Sequence, residues 1–326
     1  MDAVVLAGGY ATRLWPITRN RPKMFLPVGD ETVIDSVFDD LERDDRVNTV
    51  YVSTNERFAE DFEAYLAAGE FDKPVLSVED TTGEDEKFGV VGALGQLIER
   101  ESVDDDLMVV AGDNLISFDL AEFGDFFEET GEPSIVAYDV GDRERAKSYG
   151  LVELDGTEVV NFQEKPDDPK STLVSIGAYV FPRDTLSLFE EYLADGENPD
   201  EPGWFVQWLQ SRGSVHAFTF DGAWYDIGTP EAYLDAVAWA LDGEAKVHPT
   251  ATVENADVSA NSHVMAGAEV RNATVENAVV FPEAVVADSH VSGSVVDEHA
   301  TVRDTDLDGS LVGGYSRVLA PDADGD

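Results

Sequence analysis

From Lys246 onward, short hydrophobic residues recur every five or six positions: Val247, Val253, Val258, Val264, Val270 and Val275, then Val285, Val291, Val296 and Val302. This spacing fits neither the 3.6-residue period of a helix nor the two-residue alternation of a half-buried strand. Small residues precede many of the valines, as in Ala251-Thr252-Val253 and Ala273-Thr274-Val275. Such a hexapeptide pattern predicts a short left-handed parallel β-helix over 246–319, its coils stacking the valines into one internal column. With three faces per coil the segment holds roughly three to four coils. A plain antiparallel sheet with chance spacing is the alternative. Residues 320–326 read as an acidic tail.

Residues 1–242 have a different rhythm. Ala3–Leu6 is a continuous apolar run ending at Gly8-Gly9, and Leu107–Ala111 is another, ending at Gly112-Asp113. Strand-like runs also lie at Val47–Ser53 and Val75–Val78. Helical spacing covers Val33–Leu41, Arg57–Ala68 and Val90–Arg100. This alternation predicts an α/β domain of Rossmann-like type, with a mostly parallel sheet and helices on both faces. Ligands of such sheets bind at the carboxyl ends of the strands, where both glycine turns fall. After Asp139 the chain is richer in strands, with a hairpin of Gly150–Leu154 and Glu158–Glu164 around Asp155-Gly156 and a strand at Leu173–Phe181. Helices are expected over Thr185–Leu193, Trp204–Ser211 and Pro230–Leu241.

The most informative stretch is Leu6-Ala7-Gly8-Gly9-Tyr10-Ala11-Thr12-Arg13-Leu14-Trp15-Pro16-Ile17-Thr18, followed by Arg21-Pro22-Lys23-Met24-Phe25-Leu26-Pro27-Val28. Glycines allow close backbone approach, and N–H groups in such a loop can cradle phosphate oxygens. Arg13, Arg19, Arg21 and Lys23 concentrate positive charge in a chain with little of it, which reads as an anion site. Neither a Walker loop nor a dinucleotide fingerprint has this spacing.

This stretch resembles the signature of the sugar-1-phosphate nucleotidylyltransferases, with Ala11 where that family often has Gly. Further segments follow in the family's order: Gly112-Asp113-Asn114, Tyr149-Gly150, Phe162-Gln163-Glu164-Lys165-Pro166, Ser175-Ile176-Gly177 and Trp224-Tyr225-Asp226-Ile227-Gly228-Thr229-Pro230. The resemblance implies an Mg²⁺-dependent enzyme that condenses an NTP with a sugar-1-phosphate. Arg13 and Lys23 would be catalytic, and Asp113 and Asp226 would be the metal ligands. The nucleotide would meet Leu6, Gly8, Gly9, Thr12 and Arg13. The sugar phosphate would meet Gly150, Glu164, Lys165 and Gly177, with Asn161 nearby. Gly89-Val90-Val91-Gly92 takes the place of a Gly-Thr-x-Gly segment, so Gly89 and Gly92 belong to the base site. Glu79 lies near the position where thymidylyltransferases carry a Gln facing the base. Glucose-1-phosphate with dTTP or UTP is the expected pair, and mannose-1-phosphate with GTP the alternative. A silent paralogue that senses NDP-sugar is the reading from another class. Retention of Arg13, Lys23, Asp113, Lys165 and Asp226 favours the enzyme.

The chain has 68 acidic and 21 basic residues, a formal net charge of −47. The acids are spread along its length, as at Asp39-Asp40, Asp104-Asp105-Asp106 and Asp167-Asp168, unlike a disordered acidic block. Such charge argues against nucleic-acid binding. It suits a high-salt cytoplasm, because at 1 M salt the Debye length falls to about 3 Å and self-repulsion is screened. No apolar run approaches the roughly 20 residues that span a membrane, and no signal peptide is read, so a cytoplasmic location is expected. There is no Cys. The five histidines are expected at the surface or in coils, outside the chemistry. Unpaired backbone at the β-helix ends would favour a homo-oligomer. On the charge alone, the thermal midpoint should rise as KCl is taken from 0.2 to 3 M. A midpoint that is flat or falls over that range would remove the halophilic reading.

Overall fold

The apolar run before Gly8-Gly9 forms strand β1, Asp2–Leu6, buried through Ala3, Val4 and Val5. It belongs to a computed structural model that describes residues 1–69, 71–79 and 88–320. A polar loop, which the composition of Thr81–Phe88 suggests, falls mostly outside the described residues, as does the tail after residue 320. Contacts divide the chain into two units that do not follow chain order. Met1–Gly9, Asp35–Gly112 and Ile116–Trp224 form the first, and Tyr10–Ile34, Asp113–Leu115 and Tyr225–Asp326 the second.

In the first unit β1 is followed by α1 (Asp35–Arg43), β2 (Val50–Asn55), α2 (Ala59–Ala68), β3 (Pro74–Glu79), α3 (Val90–Glu101) and β4 (Leu107–Ala111). Then come α4 (Leu120–Thr130), β5 (Ser134–Asp139), α5 (Arg143–Ala146), β6 (Gly150–Asp155), β7 (Glu158–Glu164), β8 (Leu173–Phe181), α6 (Ser187–Ala194), α7 (Pro202–Gln210) and β9 (His216–Thr219). The nine strands form one sheet in the order β3-β2-β1-β4-β8-β5-β9-β7-β6. From β3 to β4 all neighbours run parallel. Beyond β4 the sheet is mixed, because β8 enters antiparallel between β4 and β5. Strand alternation sends Val4 and Val109 into a cluster with Val91, Leu94 and Leu97 of α3, Phe189 and Tyr192 of α6, and Phe205 and Trp208 of α7. The opposite face meets α4, whose Phe123 ring lies 6.0 Å from that of Phe218. The segment with α4 and β5 carried no expected element. Asp119 caps α4 by accepting from the Ala121 N–H, a start signal that the surrounding acidic residues obscure.

In the second unit the C-terminal segment is a parallel β-helix of the expected left-handed type, with three sheets of five, five and four strands. Val264, Val280, Val296 and Val312 stack in register, each sixteen residues after the last. The coil is therefore shorter than three full hexapeptides, and more rungs fit than the three to four expected. Tight corners account for the difference. Asn255, Asn272, Asp288 and Asp304 recur at one corner, all with positive φ, a conformation that Asn and Asp tolerate better than most side chains. Their side chains form a ladder: Asn255 Nδ2 donates to Asn272 Oδ1 (3.4 Å), and Asn272 Nδ2 to Asp288 Oδ1 (3.0 Å). The valine column needs two corrections. Val286, rather than Val285, points inward. Val247 and Val253 are exposed, because they sit on the first coil with no earlier rung against them. His263, expected at the surface or in a coil, lies on a rung of the β-helix. It is buried, and burial pushes its imidazole down to about 4, so it is neutral at pH 7. No described helix is long and apolar enough to cross a membrane.

Val280→Ala, in the closed column, should cost about 2 kcal/mol in denaturant unfolding at fixed KCl. Val253→Ala should cost under about 0.5 kcal/mol. Equal costs would show that the column is not packed as described.

Candidate active site

In the second unit the signature loop is pinned by its apolar residues. Leu14, Ile17 and Leu26 are buried in one cluster with Tyr233, Leu234 and Val237 of the helix α8 (Pro230–Ala240) and with Val279, Phe281 and Val295 of the β-helix. Ala11 has φ 49° and ψ 43°, the left-handed conformation that glycine adopts most easily. The glycine preference that the resemblance places there thus has a backbone cause. The Ala11 carbonyl accepts from Thr18 Oγ1 at 2.9 Å, which closes the loop. Thr12 and Arg13 stand on the following 3₁₀ turn, Thr12–Leu14, both exposed. A second such turn, Lys23–Phe25, buries Met24. Arg21 is used differently from the anion site expected of it. Its guanidinium donates to buried Asp297 at 2.6 Å and lies over the Phe281 ring, tying the loop to the β-helix.

The two expected metal ligands come together. The Lys23 ammonium is ion-paired with Asp113, and Asn114 Nδ2 donates to the same carboxylate at 2.9 Å. Burial pushes the Asp113 carboxyl up, but Lys23 and Asn114 outweigh it and hold the group below its ordinary value. Asp226 is shifted the opposite way. Burial raises it, and the Asp113 charge raises it further against the opposing pull of Lys23 and Arg13. The Ile227 N–H donates to the Asp113 carbonyl at 3.3 Å. A methyl group added at Gly228 would lie 2.8 Å from Arg13 Nη2 and 3.2 Å from Asp226 Oδ1. Arg13, Lys23, Asp113 and Asp226 therefore surround one small volume. The Thr229 hydroxyl accepts from the Ala232 N–H and Pro230 opens α8, which fixes the backbone just after Asp226.

In the first unit, Gly8 follows β1 at the carboxyl edge of the parallel strands. Leu6 is half-buried against the α3–α6–α7 cluster, and Gly8 and Gly9 are half-buried. Asn55 Nδ2 donates to the Gly8 carbonyl at 2.9 Å. Ser53 Oγ donates to Glu79 Oε1 at 3.0 Å. That Glu79 oxygen lies 3.6 Å from where a Gly8 side chain would begin. The first N–H groups of α3 are already engaged. Val90 donates to the Asp200 carbonyl, and Val91 and Gly92 to that of Pro199. Gly89 has φ 75°, and a side chain there would run into the Pro199 carbonyl.

The expected sugar contacts converge on three neighbouring strands. Gly150 pairs with Glu164 of β7 and with Ser175 of β8, and Gly177 lies in the irregular stretch of β8 just beyond. Asn161 pairs with Glu153, further along β7 and away from Gly150. Burial, then the nearby Glu201 charge, push the Glu164 carboxyl up to about 7, with Lys165 opposing. Lys165 is ion-paired with Glu201 and has φ 43°, an uncommon backbone conformation for lysine. Reading the sequence missed Gly203 and Glu201. Glu164 Oε2 fills the space where a Gly203 side chain would begin, so a side chain there would displace the carboxylate. Glu201 is one acid among many and carries no local signal.

Residues 2–243 match the nucleotidyl transferase family. The chain belongs to that family. It is 30% identical over 235 residues to a Sulfolobus acidocaldarius protein assigned as a mannose-1-phosphate guanyltransferase, covering 72% of this chain and 61% of the relative. It is 27% identical over 256 residues to the low-salt glycan biosynthesis nucleotidyltransferase of Haloferax volcanii, covering 75% and 67%. A Bacillus anthracis crystal structure, assigned as a glucose-1-phosphate thymidylyltransferase in complex with a sucrose, matches with a TM-score of 0.65 at 26% identity. That match covers 74% of this chain and 95% of the other. The chain thus spans about three-fifths of the length of curated relatives it matches, such as 61% and 55% of two of them.

Because the Glu164 carboxyl titrates near 7 when folded and near its ordinary 4.5 when unfolded, the folded form binds the extra proton between those values. Stability from this group is present at low pH and declines as pH rises from about 4.5 to 7. Glu164→Gln lacks this dependence. Relative to wild type, it should be more stable at pH 8 than at pH 5, by denaturant midpoints at equal KCl. A stability difference that does not change with pH would contradict the shifted carboxyl.

Proposed function

We propose that this chain catalyses attack of a sugar-1-phosphate oxygen on the α-phosphorus of an NTP, forming an NDP-sugar as pyrophosphate leaves. The observation that carries the reading is the gathering of Asp113 and Asp226 with Lys23 and Arg13 in the second unit. The family match and the names of the relatives support it.

The residues fit the implied Mg²⁺. Asp113 and Asp226 offer hard oxygens whose mutual repulsion raises Asp226, and a cation between them would relieve it. No group of three or more potential metal ligands is gathered among the described residues. Mg²⁺ keeps several waters and takes one or two carboxylates together with substrate phosphates. When bound, Mg²⁺ supplies Lewis-acid charge at the phosphate oxygens.

The chain's own residues do the rest. The nucleophile is already an anion, so charge repulsion is the obstacle and no base is required. Arg13 and Lys23 stabilise charge on the α-phosphate and the departing pyrophosphate. Lys165 holds the sugar phosphate, while Glu164 accepts from sugar hydroxyls. Gly8, Gly9, Leu6 and Thr12 bound the nucleotide. Glucose-1-phosphate is the first acceptor to test and mannose-1-phosphate the second. Which base the donor carries is a separate question, since the base takes no part in the reaction.

The test is a matrix of NTPs against sugar-1-phosphates in MgCl₂ and molar KCl, scored by pyrophosphate release. At least one pair should turn over. Arg13→Ala should lower kcat for that pair by about 10²-fold or more, with the folded state intact by circular dichroism. Wild-type protein that releases pyrophosphate with no pair would sink the reading.

A further inference from the structure

Asp297 is a charged side chain in the wall of a mostly apolar coil. It follows Val295 and Val296, both fully buried, and is itself only 3% exposed. Both carboxylate oxygens are held. Oδ1 accepts from the Arg21 guanidinium at 2.6 Å and from the Glu298 N–H at 2.9 Å, and Oδ2 accepts from the Gly314 N–H at 3.1 Å. Val296 pairs with Val312, so Gly313 takes the place of Asp297 on the next coil. There Gly313 lies against Pro16, and a side chain added to it would begin 2.8 Å from Pro16 Cβ. The same position on two successive coils thus meets the signature loop at Pro16 and at Arg21. Arg13 lies just before that stretch and Lys23 just after it.

A buried ion pair is weak ground for stability, because desolvation offsets the attraction and neutral replacements often fold as well. What it does supply is fixed geometry, and here the distance to the chemistry is short. Between Arg21 and Lys23 stands Pro22, whose ring fixes its own φ and disfavours helical backbone at Arg21. Pinning the Arg21 side chain therefore leaves few free torsions before the Lys23 ammonium, which is ion-paired with Asp113.

We infer that Asp297 is a positioning residue: through Arg21 it fixes where the signature loop presents Lys23, which makes the β-helix part of the active site. This rests on the nucleotidyl-transfer reading and adds to it a residue outside the span 2–243 that matches the family. Asp297 acts through Arg21 and not on the substrate.

The test uses the full chain in molar KCl with MgCl₂ and the substrate pair that turns over fastest. The double variant Asp297→Asn/Arg21→Met removes both charges and leaves neither partner stranded, so its thermal midpoint should match wild type. Its kcat should fall about 10-fold or more, since misplacement by about 1 Å can cost about 10²-fold. KM for the sugar-1-phosphate should hold, because what is lost acts in the transition state. The amides of Phe25 and Leu26, which close the Lys23 turn, should exchange faster with deuterium while exchange elsewhere is unchanged. Gly313→Ala pushes on Pro16 without left-handed strain of its own and should also lower kcat. Glu298→Gln, which alters the exposed second acid 3.7 Å from Arg21, should leave kcat unchanged. If the double variant does not fold, Arg21→Lys, which keeps the charge but loses the planar fork, is read in the same way.

Full kcat in the folded double variant overturns the inference and leaves nucleotidyl transfer standing. A kcat loss accompanied by faster exchange throughout the chain marks general loosening and overturns it as well. Wild type that turns over no pair fails the reaction, and the exchange at Phe25 and Leu26 then decides the positioning of Lys23 by itself.

Discussion

The repulsion between Asp113 and Asp226 is the constraint around which the second unit is organised. Two half-buried carboxylates cannot be held close without a cation, and each shows the strain differently, one lowered by Lys23 and the other raised by its neighbour. Holding them there takes a rigid frame, because an unpaired buried charge would otherwise move to water. The frame is apolar. Leu14, Ile17 and Leu26 anchor the loop that carries Arg13, while Ile227 and Tyr233 anchor the segment that carries Asp226. The same cluster contains Val279, Phe281 and Val295, so the β-helix forms part of the wall behind the charged loop. Arg21, paired with the buried Asp297 carboxylate rather than left for a ligand anion, ties the loop to the β-helix.

The first unit combines close packing with charge. Glu164 fits because Gly203 has no side chain to meet it, and the Glu201 carboxylate that raises it also engages Lys165. In both units, then, a lysine sits against a carboxylate. In a chain with 21 basic and 68 acidic residues, positive charge is scarce. Lys23 is largely buried against Asp113, whereas Lys165 and Glu201 meet with side chains 43% and 42% exposed.

Much of this was readable in the chain because it is local. Glycine pairs leaving apolar runs mark strand ends. The hairpin at Asp155-Gly156 and the strand Leu173–Phe181 lie where their patterns place them. The valine spacing announced the β-helix, and the signature motifs named Arg13, Lys23, Asp113, Glu164, Lys165 and Asp226. Less legible were α4 and β5, whose start signal is one Asp among many, and the coil length, which depends on corner residues entering left-handed backbone.

Residue identity and chain order thus account for the element types, the motif chemistry and the surface charge, since each follows from neighbours a few positions apart. Packing settled the rest. That Asp113 meets Asp226, that Arg21 turns to Asp297, that Val286 and not Val285 faces inward, and that Glu79 lies beside Gly8 all depend on contacts between distant segments. Such contacts form only when apolar burial outweighs the entropy of ordering the chain between them, and no local pattern encodes that balance.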